Sequence, residues 1–390
     1  MKISLLTDGI TPFVVGGMQR HSCNMARSLA DLGVEIDLYH VLPEGVGAEE
    51  VAATFSPSQW EEITSFDFSW PPRGRLPGHY VRESYQLSNE FLQQYESRPR
   101  PDVIYAKGLM AHAFLKAKQQ KGIEFPPIIT NAHGYEMYQR PADMIESLKR
   151  FVLRPGIRYV SQNSDFVASY GGGITDILMD QLHISRDRIL EVPGAIDQSW
   201  LPTGRSPKPD GAIRYGFLGR YERRKGVKEL AAAFSGLSGD NQLHMIGPIP
   251  DEKRSQFPAS TVFRGLVKER DEICELLDMI DILVVPSWSE GMPNVIMEAM
   301  ARHTAIIGTD VGAVRCLVGP DTGWLIPPGD SKALLDALRE SSSISIEKLH
   351  KLQDRANQLI AQNFTWPTVA VQLHDALNSI VTGQPQAVGS

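Results

Sequence analysis

Short apolar runs of strand length alternate along this chain with longer stretches whose apolar residues recur every three to four positions. In the first half, 2–7 (KISLLT), 35–41 (EIDLYHV), 102–106 (DVIYA), 127–130 (PIIT), 165–169 (DFVAS) and 189–192 (ILEV) read as strands. The stretch 18–32 has helical spacing. Such alternation predicts an α/β protein in which parallel sheets carry crossover helices on both faces. The segment 193–211, PGAIDQSWLPTGRSPKPDG, breaks the pattern with proline, glycine and serine and reads as a linker. A second alternating set follows, with strands at 213–218 (IRYGFL), 242–246 (QLHMI), 261–263 (TVF), 281–285 (DILVV) and 305–308 (AIIG). Two such units imply a cleft between them. Little periodicity is visible across 45–100, which holds Trp60, Trp70 and the loop PPRGRLPG.

Open parallel sheets bind ligands outside the carboxyl ends of their strands, so the loops there are where chemistry is expected. After the first strand comes DGITPFVVGG, whose Gly16 and Gly17 open a helix and let backbone N–H groups approach an anion. It lacks the full GxGxxG fingerprint, so a dinucleotide cofactor is not indicated. The first strand of the second unit leads into GRYERRKG, which carries Gly219, Arg220, Arg223, Arg224 and Lys225. Guanidinium forks and a compact ammonium there suit a diphosphate. The strand DILVV leads through SEGMPN into a helix, with Pro293 at its first turn, where a missing N–H costs nothing. Glu290 lies in that loop and Glu298 two turns along the helix. Two readings stand for these carboxylates: a surface pair of Glu298 with Arg302 plus a Glu290 that complements the helix dipole, or two ligand contacts. His133, in TNAHGYEM after a strand, points to the same cleft, and His21 follows Gly17 on a helix.

Composition narrows the classes. With 390 residues, 42% apolar and 22% charged, the chain reads as a soluble protein of two or three domains. A net charge of −7 and a pI near 5.8 argue against nucleic acid as a partner. The start, MKISLLTDG, meets Asp8 too early for a signal-peptide core, and no run of eighteen apolar residues occurs, so a cytoplasmic location is expected. Cys23, Cys274 and Cys316 lack metal or disulfide spacing and are expected to be packing residues.

Taken in order, GG, GRYERRKG, SEGMPNVIMEAM, TDVGAVRCLV and TGWLIPPGD resemble glycosyltransferase family four, retaining enzymes of the GT-B fold. The resemblance implies two Rossmann-like domains facing across a deep cleft, and a last helix crossing back to the first domain. The boundaries expected are 1–195 for the acceptor-side domain, 196–211 for the linker, 212–365 for the nucleotide-sugar domain and 366–382 for that helix. It also implies that Glu290 and Glu298 contact the donor sugar and the ribose, that Arg220 and Lys225 hold the diphosphate, and that His133 lies near the sugar. By the same resemblance Gly16, Gly17, Gly219, Gly291, Met292, Pro293, Asn294 and Val295 bind the donor. No cofactor and no metal are expected, since no Asp-x-Asp pair occurs. The expected partners are a nucleotide-sugar donor, with UDP and GDP both open, and a glycan, lipid-linked or small-molecule acceptor. The chain departs from the family pattern at Met292, where an aromatic residue is usual, at Ala313, usually glycine, and at Arg315, usually acidic. A nucleotide-sugar epimerase, a phosphorylase and a non-catalytic nucleotide-sugar binder share the same architecture. The stretch 145–158 (IESLKRFVLRPGIR) has two readings, a helix lying on an anionic membrane surface or a helix packed on the domain with solvated basic tips.

Overall fold

The computed structural model describes residues 1–72, 74, 78–204 and 212–383. Its first sheet contains β1 (Lys2–Leu6), β2 (Glu35–Val41), β3 (Ile63–Phe68), β4 (Val103–Lys107), β5 (Ile128–Asn131), β6 (Phe166–Ser169) and β7 (Ile189–Glu191). The second contains β8 (Arg214–Leu218), β9 (Gln242–Ile246), β10 (Val262–Gly265), β11 (Ile282–Val285), β12 (Ala305–Thr309) and β13 (Gly323–Ile326). The strand orders are β3-β2-β1-β4-β5-β6-β7 and β10-β9-β8-β11-β12-β13, with every neighbour parallel. Strand order therefore reverses between β1 and β4 in one sheet and between β8 and β11 in the other. A crevice opens at each reversal, because adjacent crossovers leave in opposite directions.

The central strands are legible in sequence because helices cover both faces, so their residues form continuous apolar runs. Ile3, Leu5, Leu6, Ile282, Leu283 and Val284 are all fully buried. β3 and β13, which the pattern does not predict, are two edge strands with partly exposed residues. β3 is nevertheless fixed in register against β2 from Ile63 opposite Ile36 to Phe68 opposite Val41, with Phe66 stacked on Tyr39 at 4.7 Å.

The helix His79–Tyr95 also lies in the stretch without visible period. It buries Glu83, Ser84 and Ser88 among Leu87, Phe91 and Leu92. Two of these polar positions, Glu83 and Ser88, find partners, which is what makes their burial tolerable. Ser88 Oγ donates to Met110 O at 2.7 Å and accepts from Ala113 N at 2.9 Å. Glu83 accepts from Trp70 Nε1 at 3.0 Å and Gly74 N at 2.6 Å. Arg73 and residues 75–77 of the loop between them lie outside the described residues.

The last helix, Trp366–Thr382, crosses back and packs on the helix Gly17–Ala30, with Val369, Leu373 and Leu377 buried in the first domain's core. The chain reaches it through Ile196, whose N–H donates to Phe364 O at 2.9 Å and whose carbonyl accepts from Trp366 N at 3.1 Å. Residues 205–211 of the expected linker lie outside the described residues.

Candidate functional site

The loops after β8 and β11 meet at the second sheet's crevice. Gly226 ends the basic loop at φ 69°, and a Cβ there would stand 1.8 Å from Pro286 O, so only glycine lets the two loops touch. That approach sets Lys225 Nζ 2.6 Å from Glu290 Oε1, which also accepts from Ser287 Oγ at 2.7 Å. Arg224 Nη1 lies 3.8 Å from Glu290 Oε2 and 3.9 Å from Glu136 Oε1, and is buried without a hydrogen-bond partner among the described residues. Burial alone would raise the Glu290 carboxyl, but Lys225 and Arg224 outweigh it and hold it below the usual range. Beside this charged group begins the helix Asn294–Ala301, whose first-turn N–H groups carry the positive end of its dipole.

Across the cleft, the ends of β4, β5 and β6 present Lys107, His133 and Tyr170. Lys107 is fully buried and its Nζ lies 3.1 Å from His21 Nδ1. When Lys107 is charged it can only donate, and His21 then accepts at Nδ1 and carries its proton on Nε2. Burial pulls Lys107 down to about 7, against the opposing pull of Asp8 at the end of β1. Burial likewise pushes Asp8 up to about 6, moderated by Gln19, whose Nε2 donates at 2.8 Å.

His133 stands at φ 57°, an uncommon conformation for a non-glycine residue, with its N–H held by Asn131 Oδ1 at 2.7 Å. Its Nδ1 is hydrogen-bonded to Tyr170 Oη. Burial raises the Tyr170 phenol well above its ordinary value, so Tyr170 keeps its proton and donates to His133. His133 then carries hydrogen on Nε2, an atom buried without a partner among the described residues. Burial and Lys107 hold both imidazoles well below the ordinary histidine value, so they are neutral.

The two walls touch backbone to backbone. A Cβ on Gly134 would lie 3.0 Å from Gly291 N, and one on Gly173 would lie 2.8 Å from Gly312 O. Gln139 of the first domain clamps Glu290 twice, donating to its carbonyl at 2.6 Å and accepting from its N–H at 3.2 Å. The family departures have local explanations here. Met292 Sδ accepts from Gly194 N at 3.1 Å, and Arg315 is a strut between Asp310 of its own domain at 2.8 Å and Asp176 of the other at 3.0 Å. Ala313 is fully buried and donates its N–H to Gly291 O at 2.8 Å.

Between the walls is a cavity of about 400 Å³, in the size range of small-ligand sites. Of the residues singled out in sequence, Gly17, His133, Lys225, Glu290, Gly291, Met292, Pro293, Asn294, Val295 and His21 line it. Gly16, Gly219, Arg220 and Glu298 do not. The Arg220 side chain is 71% exposed and pairs with Glu222 at 3.0 Å, while Arg224 of the same run takes the inner place. Glu298 is buried, but its partner is Arg20 of the first domain at 3.1 Å. The expected alternative pairing with Arg302 is absent, because Arg302 Nε donates to Asp278 at 2.8 Å. Sequence reasoning missed Glu136, Tyr170 and Lys107. For Tyr170 and Lys107, position at a strand's carboxyl end is the signal that could have found them.

The chain matches two family models in tandem, Glycosyltransferase Family 4 over residues 15–200 and Glycosyl transferases group 1 over 212–342. It is 32% identical over 146 residues to the putative teichuronic acid biosynthesis glycosyltransferase TuaC of Bacillus subtilis, covering 37% of each chain. It is 23% identical over 397 residues to a glycogen synthase of Mycobacterium tuberculosis, covering 95% of this chain and 92% of that one. Among solved structures, sucrose-phosphate synthase from Thermosynechococcus elongatus superposes with a TM-score of 0.76 at 16% identity, covering 98% of this chain and 100% of the other. Anabaena HepE in complex with UDP and glucose superposes at 0.65 and 16%, covering 97% and 100%. At such identities the structural likeness speaks for the fold, and the tandem sequence matches speak for the family. The chain belongs to glycosyltransferase family 4, with a GT-B arrangement of two Rossmann-like domains around this cleft.

Proposed function

We propose that this glycosyltransferase takes a sugar from a nucleoside-diphosphate donor and transfers it, with retention and without a metal, to an acceptor hydroxyl. The observation that carries the reading is the cationic pair Lys225 and Arg224 lining one cavity together with the start of the helix Asn294–Ala301. Cleaving the anomeric bond leaves an oxocarbenium-like sugar and concentrates charge on the departing diphosphate. Fixed cations and helix N–H groups stabilise that charge as it develops. Arg224 Nη1 lies near two carboxylates but makes no hydrogen bond among the described residues, so it has a donor to offer such an oxygen.

Glu290 then has two roles in sequence. With the site empty it neutralises Lys225, and with the donor bound it accepts from sugar hydroxyls while Lys225 turns to the phosphate. On the facing wall, His133 Nε2–H is placed to donate to the sugar, and its neutrality spares the developing oxocarbenium ion a nearby positive charge. Glu298 is the ribose ligand in this reading, as the family resemblance implies, and the basic pair takes the place of a divalent ion. A complex with UDP and glucose in a protein of the same fold supports a uridine diphosphate as the first donor nucleotide to try. The acceptor is a glycan or lipid-linked hydroxyl entering from the first domain's side, and the site of action is cytoplasmic.

The test is incubation with a panel of UDP- and GDP-sugars, with and without oligosaccharide acceptors, following nucleoside diphosphate release in excess EDTA and the anomeric proton of the product. Acceptor-dependent release that survives chelation, with a product of the donor's anomeric configuration, is expected. Activity lost in EDTA and restored by Mg²⁺ would remove the proposed role of the basic pair. Donor conversion without acceptor would favour an epimerase, turnover that requires inorganic phosphate a phosphorylase, and binding without turnover a non-catalytic protein.

A further inference from the structure

The last helix meets the candidate site with its first residue. Thr365 is extended at the helix N-cap and Pro367 stands in the first turn, where its missing N–H costs nothing, so the helix starts at Trp366. That start is tied to the linker. Ile196 on the outgoing chain and Thr365 on the returning chain form an isolated parallel bridge, and Trp366 N donates to Ile196 O at 3.1 Å. Trp366 is thus the first residue past the crossing to enter the first domain's core.

Its side chain is buried against an imidazole of the cavity wall. The ring centroids of Trp366 and His21 lie 5.1 Å apart with their planes at 75°. His21 in turn lies 5.2 Å from His133 at 89°, and 5.7 Å from Tyr170 at 45°. Edge-to-face ring pairs at such separations attract. A buried indole N–H ordinarily finds an acceptor, but Trp366 Nε1 has none among the described residues. What this side chain supplies is therefore its ring.

His21 needs such support. Two torsions separate its imidazole from the helix Gly17–Ala30, and the one hydrogen bond at Nδ1, to Lys107 Nζ at 3.1 Å, leaves the plane of the ring free to turn. Three rings from three separate segments fix that plane: His133 after β5, Tyr170 after β6 and Trp366 at the start of the last helix. With Nδ1 engaged, Nε2 is the nitrogen left for a ligand, and His21 lines the cavity beside His133.

We propose that Trp366 is a positioning residue of the candidate site, its ring holding His21 against Lys107 and closing that side of the imidazole to water. The far end of the chain thereby completes a wall otherwise built by the first domain's own loops and helix. The groups that face His21 are Lys107 from β4, His133, Tyr170 and Trp366, with Asp8 beyond Lys107. Burial is the largest cause that keeps His21 neutral, ahead of Lys107 and His133, and Trp366 contributes to that burial. The benefit to sugar transfer rests on the transferase reading, whereas the orientation of His21 does not.

Nitrogen-15 NMR of the imidazoles tests this without turnover, the His21 signals being those missing from His21→Gln. In the wild type, His21 is expected to stay neutral down to about pH 5. In Trp366→Leu, water reaches the ring, and His21 is expected to titrate with a midpoint between about 5 and 7. Trp366→Met, flexible and without a ring, should behave alike and serves if the leucine variant does not fold. Trp366→Phe restores an aromatic ring and is expected to leave His21 neutral. Leu377→Ala is the control for lost stability, since Leu377 is buried in the same cluster but roughly 16 Å further along the helix. It is expected to lower the melting temperature and leave His21 unchanged. A wild-type His21 that titrates above about pH 5 overturns the proposal. So does a His21 that stays neutral in the leucine and methionine variants, or one that titrates equally in the phenylalanine variant or in Leu377→Ala.

Discussion

Replacing Glu298 and Arg20, singly and together, separates a ribose ligand from an interdomain tie. Glu298 Oε1 and Arg20 Nη1 lie 3.1 Å apart, but the arginine side chain is 54% exposed and the glutamate only 7%. Water screens the pair from the arginine's side, so its worth is that of an exposed ion pair, about 0.2–1 kcal/mol. Burial raises the Glu298 carboxyl above the usual range, with Arg20 only partly opposing, so the pair does not offset the cost of holding that charge inside. A ribose hydroxyl on the same carboxylate is a charge-assisted hydrogen bond worth about 1.5–3 kcal/mol. Glu298→Ala should then weaken nucleoside diphosphate binding roughly ten- to hundredfold. Arg20→Met should change it by less than about fivefold. Isothermal titration of all three variants, with melting temperatures as the check on folding, measures both numbers and their coupling. Equal, small losses in the two single variants that do not add in the double would refute the ribose assignment and leave Glu298 as a tie between domains.

Two further outcomes follow from the geometry. Lys225→Ala removes the cation 2.6 Å from Glu290, and should lower kcat by about two to three powers of ten, as loss of one oxyanion donor does; a kcat within about threefold of wild type would exclude Lys225 from transition-state stabilisation. Lys107→Met removes a buried ammonium whose value burial lowers from 10.5 to about 7. A lysine depressed on folding gives stability that is fully present above its unfolded value and lost as pH falls towards its folded one. The methionine variant should therefore be more stable than wild type at neutral pH, by about 1–4 kcal/mol, and the gain should shrink towards pH ~10. Urea unfolding at both pH values checks this, and a pH-independent difference would refute it.

The sequence by itself determined the two parallel sheets and the loops that carry the chemistry. Central strands such as β1 and β11 are buried on both faces, so their apolar runs are continuous and visible one residue after another. Gly226 and Gly312 were fixed by backbone geometry, since both stand at positive φ with no room for a Cβ. The edge strands β3 and β13 stayed hidden because an exposed edge tolerates polar residues, and the helix His79–Tyr95 because its buried Glu83 and Ser88 find partners that only folding supplies.

Tertiary structure alone decided which charges meet. Glu298 could be read against Arg302, four residues on, but its partner is Arg20, 278 residues away, because the two domains dock with their helices facing. From the basic run, sequence marked Arg220 and Lys225; the turn that ends at Gly226 brought Arg224 inward and left Arg220 in solvent. Lys107 and His21 are 86 residues apart and form a hydrogen bond that no local pattern encodes. Local periodicity reports which face of an element is buried, whereas the pairing of charges depends on how far apart two rigid sheets come to rest, and that distance is written in no single stretch of chain.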